Sequence, residues 1–229
     1  MPDVELEPLG LRARLLECLR PKIAVWLGLA VGICVPYFAL QQVQVFPLRT
    51  PPTTALDRWV PFEPGYIWAY LSIALLVPAA PALAASRDAL RRYATGLCLL
   101  CLPCFAAFAV FPVEGPRPPL AVDDPLYRLI VSLDRPTNSM PSLHAGLVVY
   151  SLVFGLRVLR DALGPRARAA VALVGCGWAG LILYSTLATK QHWALDLPPG
   201  AALAVCAHAL VWRGAERIPL RRSPPIRAG

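Results

Sequence analysis

The chain has 229 residues, of which 57% are hydrophobic and 16% are charged, and its formal net charge is +8. Soluble domains are typically about 45–50% apolar and about 25% charged, so this composition favours a membrane protein over a soluble one. The basic residues flank apolar runs instead of following one polar face, which argues against a nucleic-acid-binding protein and for contact with anionic lipid headgroups.

The first 21 residues form a separate N-terminal segment. Leu11, Leu15 and Leu19 recur at helical spacing, with arginines between them. This pattern is compatible with a short amphipathic helix on the membrane surface and equally with a plain basic flank. The apolar run that follows is too long for the core of a signal peptide, and the chain begins with acidic residues. We therefore predict a retained membrane anchor.

Six apolar runs follow, each long enough to cross about 30 Å of hydrocarbon as a helix. The sequence thus predicts an all-α fold, a six-helix transmembrane bundle in one domain over 22–213, with a basic tail over 214–229. The predicted spans are 22–42, 66–86, 93–113, 141–160, 168–189 and 193–213.

The distribution of lysine and arginine among the loops predicts the orientation of the bundle. Sixteen of the 22 basic residues fall on the side of the two termini, and six fall on the other side. The positive-inside rule places the richer side in the cytoplasm. Both termini are then cytoplasmic, and the loops 43–65, 114–140 and around residue 190 face outward.

Three polar residues at the outward ends of predicted spans are candidates for chemistry. His144 and His192 are two of only three histidines, and Asp196 lies near the start of the last span. A carboxylate so close to hydrocarbon is costly without a partner. On a helix, residues four apart share a face, so Asp196 could orient the His192 ring as a nucleophile or base. Pro198 and Pro199 leave a second interpretation open, in which Asp196 caps the helix and His192 lies on the turn before it.

Two patterns resemble metal sites. Cys98, Cys101 and Cys104 have a C-x2-C-x2-C spacing, but clusters usually need a fourth thiolate, so we interpret them as small apolar side chains on one helix. Two histidines and an aspartate could also hold zinc. We predict no metal, because a metal would compete with a histidine nucleophile, and no disulfide framework.

The sequence around these residues resembles the type 2 phosphatidic acid phosphatase superfamily. Pro141–His144 (PSLH) is similar to the family's P-S-G-H motif, and Ser185 through Asp196 is similar to its S-R-x5-H-x3-D motif. The stretches 134–144 (DRPTNSMPSLH) and 56–70 (LDRWVPFEPGYIWAY) further resemble the branch that includes inositol phosphorylceramide synthases.

Two positions depart from the family pattern. Thr186 stands where the family has arginine. The first motif, K-x6-R-P, is not intact: Arg117-Pro118 matches by position but has Val110 in place of lysine. Arg135-Pro136 fits numerically, with Arg128 seven residues before it, but lies close to Pro141. We favour Arg117.

The resemblance implies a mechanism in which His192 attacks phosphorus and forms a phosphohistidine. Asp196 would hold the His192 ring, and His144 would protonate the leaving oxygen. Arg117, Lys190 and Ser142 would bind the phosphate, because phosphoryl transfer depends chiefly on positioning and charge stabilisation. No cofactor is implied.

The resemblance implies a lipid phosphatase or pyrophosphatase, with a headgroup phosphotransferase as the alternative. A non-catalytic transporter or channel, with the histidines in a proton path, is a third class, and the spacing of the two motifs argues against it. The expected partners are a lipid phosphate substrate and membrane lipids, with no nucleic acid, and a homo-oligomer is compatible with this reading. The composition is typical of a GC-rich bacterium, so we predict a multi-pass inner-membrane protein with an outward-facing active site.

Overall fold

The structure, a computed structural model, describes residues 11–118, 122–160 and 162–213. Two 3₁₀ turns, Pro64–Tyr66 and Ala194–Asp196, precede α4 and α10. The helices in chain order are α1 (Leu11–Leu16), α2 (Leu19–Gln42), α3 (Ala55–Trp59), α4 (Ile67–Leu71), α5 (Ile73–Ala82), α6 (Arg87–Val110), α7 (Pro125–Leu133), α8 (Leu143–Leu159), α9 (Pro165–Ala188) and α10 (Leu197–Trp212). The all-helical class is confirmed over these ranges, whereas 1–10 and the predicted tail 214–229 lie outside the described residues.

Five segments of the described chain are helical, long and apolar enough to cross a membrane, and each matches a predicted span. They are Leu19–Gln42, Pro64–Ala82, Arg87–Val110, Pro165–Ala188 and Ala194–Trp212. The sixth predicted span, 141–160, corresponds to α8, which is apolar but has only 17 residues. At 1.5 Å per residue α8 is roughly 26 Å long, shorter than the hydrocarbon core of about 30 Å. The prediction of six spans is therefore confirmed for five.

Helix α8 can be short because it lies at the centre of the bundle. It packs against α5, α6, α9 and α10. Tyr150 and Phe154 are fully buried against the α6 side, and Val148 is fully buried against Ile182 of α9. A helix surrounded by protein on these sides need not match the lipid thickness. Helix α8 can therefore start inside the bundle, covered by the loops at that end.

The helix boundaries follow from capping residues and helix breakers. Ser142 accepts a hydrogen bond from the main-chain nitrogen of Ala145 and thereby fixes the start of α8. Ser86 caps α6 in the same way. The second predicted span is interrupted at Ser72, which separates α4 from α5, and α5 contains Pro78 and Pro81. A proline inside a helix removes a backbone hydrogen bond and bends the helix, so this span is not one straight rod.

The loops predicted to face outward converge at one end of the bundle. Arg49 and Asn138 each form an isolated backbone bridge with Val113, which joins the loop after α2 to the loop after α6 and the loop before α8. The main-chain nitrogen of Glu63 donates to the oxygen of Ala188 at the end of α9. The sequence predicts that the loops 43–65, 114–140 and around residue 190 lie on one side of the bundle, and these contacts agree with that grouping.

A close backbone approach joins the start of α8 to the start of α10. The main-chain nitrogen of Ser142 donates a 2.9 Å hydrogen bond to the oxygen of Asp196. A β-carbon on Gly200 would lie 2.1 Å from the oxygen of Ser142, so no larger residue fits without a shift of backbone. This contact brings the PSLH segment against the turn that contains Asp196.

Candidate active site

His192 and Asp196 lie between α9 and α10, and their side chains meet. His192 Nδ1 is 3.4 Å from Asp196 Oδ2 and donates a 3.1 Å hydrogen bond to the main-chain oxygen of Ser139. Both side chains are buried, and that of Asp196 is buried completely. Because two oxygens surround Nδ1, we assign the proton of the neutral ring to Nδ1, which leaves the lone pair on Nε2.

The two residues meet through a turn and not on the face of one helix. Asp196 Oδ2 accepts a 2.8 Å hydrogen bond from the main-chain nitrogen of Trp193, and Ala194–Asp196 is a 3₁₀ turn. Of the two interpretations that the sequence left open, the structure agrees with the one that puts His192 on the turn before α10, with Asp196 at the N-cap position. The Asp196 side chain, however, makes no cap hydrogen bond to α10.

Ser139 completes the environment of this pair. Its hydroxyl donates a short hydrogen bond to Asp196 Oδ2 and lies 3.5 Å from His192 Nδ1. Within the described chain, the second carboxylate oxygen, Oδ1, is buried without a hydrogen-bond partner. The carboxylate is thus fixed through one oxygen, which also faces the imidazole.

His144 lies in the first turn of α8, opposite His192. The two ring centroids are 6.3 Å apart. His144 Nε2 donates a 3.1 Å hydrogen bond to the main-chain oxygen of Tyr70, and the two rings stack with centroids 4.1 Å apart. This contact fixes the orientation of His144. A tetrahedral group between the rings would be within reach of both, since reacting atoms are typically about 3–3.5 Å apart in a productive complex.

Arg117 lies near this pair but is already bound. Its guanidinium forms an ion pair with Asp134 and donates to the side-chain oxygen of Gln191 and to the main-chain oxygen of Asp134. Asp134 also accepts hydrogen bonds from Tyr37 and Gln41 of α2. Four of the five guanidinium N–H groups are thereby used, so Arg117 is rigidly positioned beside His192 with little remaining hydrogen-bonding capacity.

Other candidate residues occupy different positions. The Ser142 hydroxyl is fully buried and caps α8. The Lys190 ammonium donates to the main-chain oxygens of Asp57 and Val60, at 3.0 and 2.7 Å. Arg128 is exposed on α7, whereas Arg135 lines the same small hollow as Arg117 and His192. The structure therefore brings together His192, Asp196, His144 and Arg117, but it does not bring the Lys190 ammonium or the Ser142 hydroxyl into the cavities described next.

Two cavities meet at His192. The larger has a volume of about 430 Å³, lies between α2 and α5, and is mainly apolar. The smaller is a polar hollow lined by Arg117, Arg135, Asn138 and Gln191. His192, Tyr70 and Asp134 line both cavities, and His144 lines the larger one. A ligand bound at His192 can therefore extend in two directions, one apolar and one polar.

Lys190 and Asp57 together attach α3 to the turn that contains His192. Asp57 Oδ1 accepts a 2.7 Å hydrogen bond from the main-chain nitrogen of Ala194, while Lys190 holds the carbonyls at the end of α3. Burial lowers the pKa of the Lys190 amine, and the charge of Asp57 offsets part of that shift. These two links, which we call the α3 clamp, tie both sides of His192 to one short helix.

We expect Lys190→Met to lower kcat by roughly 10- to 100-fold, because loosening the α3 clamp displaces His192 by a fraction of an ångström. Lys190→Arg should retain part of the activity. Asp57→Ala should cause a similar loss because it breaks the second link to α3, and the double variant should lose at least as much activity as either single variant. Steady-state kinetics of the four enzymes would measure this.

Inhibition by inorganic phosphate distinguishes the clamp from the phosphate-binding role predicted for Lys190. If Lys190 binds the transferred group, Lys190→Met should weaken phosphate inhibition, whereas Asp57→Ala should not. For a clamp, both variants keep the inhibition constant of the wild-type enzyme. A selective weakening in Lys190→Met would contradict the clamp.

Sequence reasoning missed four residues that shape this site: Ser139, Asp134, Gln191 and Tyr70. Ser139 and Asp134 lie in the 134–144 stretch, and Tyr70 lies in the 56–70 stretch. Each polar residue in these two stretches was a candidate, because both stretches had been singled out from the sequence. Gln191 is adjacent to His192 and carried no separate signal.

A comparison with protein families matches residues 90–219 to the PAP2 superfamily. The match includes α8, α9 and α10, and therefore both histidines and Asp196. No curated protein and no solved structure matches the chain.

Proposed function

The chain belongs to the PAP2 superfamily, and from this premise we propose that it hydrolyses a lipid phosphate or lipid pyrophosphate through a phosphohistidine intermediate. The family and the five apolar helices together indicate an integral membrane enzyme of the phosphatase or phosphotransferase type. The observation that carries the proposal is the placement of His192. Its Nδ1 is held by Ser139 and faces Asp196, and its ring lines both cavities opposite His144.

In the first step, His192 Nε2 attacks phosphorus and an N–P bond forms. The bond between phosphorus and the leaving oxygen breaks, and protonated His144 supplies the proton for that oxygen. Asp196 and the oxygen of Ser139 stabilise the positive charge that develops on the His192 ring. In the second step, water attacks phosphorus, His144 takes its proton, and the N–P bond breaks to release phosphate.

The negative charge of the transferred group requires cations, and the proposal assigns this role to Arg117, with Arg135 at the edge of the same hollow. Thr186, which replaces the family's arginine, turns its hydroxyl back to the oxygen of Leu183. A threonine side chain carries no charge, so position 186 supplies no cation. Phosphate would compete with Asp134 and Gln191 for the Arg117 guanidinium, because these two residues occupy most of its N–H groups.

A phosphotransferase is the second candidate, supported by the polar hollow beside His192. Asp134 and Asn138 line both cavities, and a carboxylate and an amide can orient the hydroxyl of an alcohol acceptor. Such an acceptor would attack the phosphohistidine in place of water, and the same histidines would serve both reactions.

The test is an assay of the purified protein with mixed lipid phosphates, in the presence and absence of free alcohols such as inositol. Release of inorganic phosphate without an alcohol supports the hydrolase. A new phosphate monoester of the added alcohol, which appears only when that alcohol is present, supports the transferase. If neither product forms with any lipid phosphate or pyrophosphate, both the hydrolase and the transferase are contradicted.

We expect the active site to face the extracytoplasmic side. Thr53 is exposed on the loop that contacts the site, and Ala167 is exposed at the opposite end of α9. In intact cells, an impermeant thiol reagent should label Thr53→Cys and should label Ala167→Cys only after the cells are opened. The unsubstituted protein, with its seven cysteines, gives the background. Labelling of Ala167→Cys alone in intact cells would reverse the orientation.

A further inference from the structure

The larger cavity is a cleft between two membrane helices that ends at the catalytic histidines. On one wall, α2 contributes Trp26, Ile33 and Tyr37, and on the other wall α5 contributes Ile73 and Val77. His144 and His192 close one end. Its volume of about 430 Å³ lies within the range of roughly 300–1,000 Å³ that is typical of small-molecule sites.

The cleft has an open side because α2 packs mainly on α6. The side chains of Trp26 and Phe38 line the cleft and are 47% and 42% exposed. Since α2 and the segment that includes α5 are both candidate spans, the medium at this side is the hydrocarbon of the bilayer. A ligand can therefore enter laterally from the lipid.

The polarity of the cleft changes along its length. From Trp26 to Phe38 the cleft follows α2 for roughly 18 Å, about 60% of the hydrocarbon thickness. Most of this length is apolar, and the polar residues Asp134, Asn138, His144 and His192 cluster at the end near Tyr37. Only an amphipathic ligand, with a hydrocarbon chain and a polar head, satisfies both ends at once.

We propose that this cleft binds one extended hydrocarbon chain of the substrate and selects lipid phosphates by chain length, an inference that rests on the proposed function. The phosphate lies between the histidines while the chain lies between α2 and α5. The substrate class is then a long-chain lipid phosphate that enters from the bilayer, and water-soluble phosphate esters are poor substrates. When kcat/KM is referred to free substrate in water, each methylene that the cleft buries should raise it by about fourfold.

Ala30 and Val31 of α2 provide a matched pair of variants. Ala30 lines the cleft, whereas Val31 does not line it and is 61% exposed on α2. Ala30→Trp should obstruct the cleft partway along its length, and Val31→Trp should add the same side chain on the lipid-facing side. The kinetic probe is a series of n-alkyl phosphates of increasing length, with kcat/KM referred to the concentration of free monomer in water.

In the wild-type enzyme and in Val31→Trp, kcat/KM should rise with chain length and then level off when the cleft is full. In Ala30→Trp the ratio of kcat/KM for long to short chains should fall by roughly 10-fold or more, because several methylenes lose their site. An unchanged ratio in Ala30→Trp, or an equal fall in both variants, would overturn the proposal.

A binding experiment separates this proposal from the proposed reaction. An alkyl phosphate with a photoreactive group at its chain end should label peptides of α2 and α5 in the wild-type protein, and unlabelled alkyl phosphate should compete. Ala30→Trp should lose this labelling, and Val31→Trp should keep it. Competed labelling of α2 and α5 without any turnover would retain the cleft and contradict the hydrolase. Turnover with no competed label on either helix would retain the hydrolase and overturn the cleft.

Discussion

Replacing His192 with alanine should reduce turnover by roughly four to six orders of magnitude, the scale observed when an enzyme loses its nucleophile. The substitution removes the ring that faces Asp196 and donates to the main-chain oxygen of Ser139, the proposed nucleophile. The fold should survive, because Asp196 keeps its hydrogen bonds with Ser139 and with the Trp193 main chain. The loss is measured as the rate of phosphate release by the His192→Ala enzyme relative to the wild-type enzyme, on the same lipid substrate.

Chemical trapping shows whether the lost group is the nucleophile. With substrate labelled in the transferred phosphoryl group, rapid denaturation of the wild-type enzyme should yield an acid-labile phosphoprotein, and the His192→Ala enzyme should yield none. His208→Gln is the matched control, since it removes the third histidine, which packs between Tyr150 and Trp212 away from both cavities. A trapped phosphohistidine in the His192→Ala enzyme would assign the nucleophile to another residue.

Hydropathy predicted five of the apolar helices because this signal is local. A run of about 20 apolar residues carries its own prediction of a span. The predicted span 141–160 is longer than α8 (Leu143–Leu159). Hydropathy cannot show that Ser142 caps the helix or that 134–142 remains a loop. It also missed the break at Ser72, where α4 and α5 divide one apolar run.

The contact between His192 and Asp196 was predictable from their spacing, but the residues that surround this pair were not. His192 and Asp196 are four residues apart, so any compact turn brings them together. Ser139 is 53 residues from His192 in sequence, and Asp57 is 137 residues from Ala194. Such contacts depend on how the three loops converge, which no local pattern specifies. For the same reason, the proximity of Lys190 to His192 in sequence did not reveal that its ammonium contacts α3.

The proposed acid makes a different kind of prediction, because its importance depends on the leaving group. His144→Gln should reduce turnover of a long-chain alkyl phosphate by about 10²- to 10⁴-fold, the usual contribution of general acid catalysis. An alkoxide is a poor leaving group and needs a proton as the phosphorus–oxygen bond breaks. A nitrophenolate leaves without one, so turnover of p-nitrophenyl phosphate should fall by a much smaller factor.

Glutamine is chosen because its side-chain amide can still donate to the main-chain oxygen of Tyr70, as His144 Nε2 does, although it cannot supply a proton to a leaving group. The pH profile gives an independent check. His144 must be protonated to donate to the leaving oxygen, so the activity of the wild-type enzyme should fall as pH increases. The His144→Gln enzyme should lose this alkaline limb. Equal losses on the alkyl and nitrophenyl esters, with the alkaline limb intact, would show that the leaving oxygen receives its proton from another group.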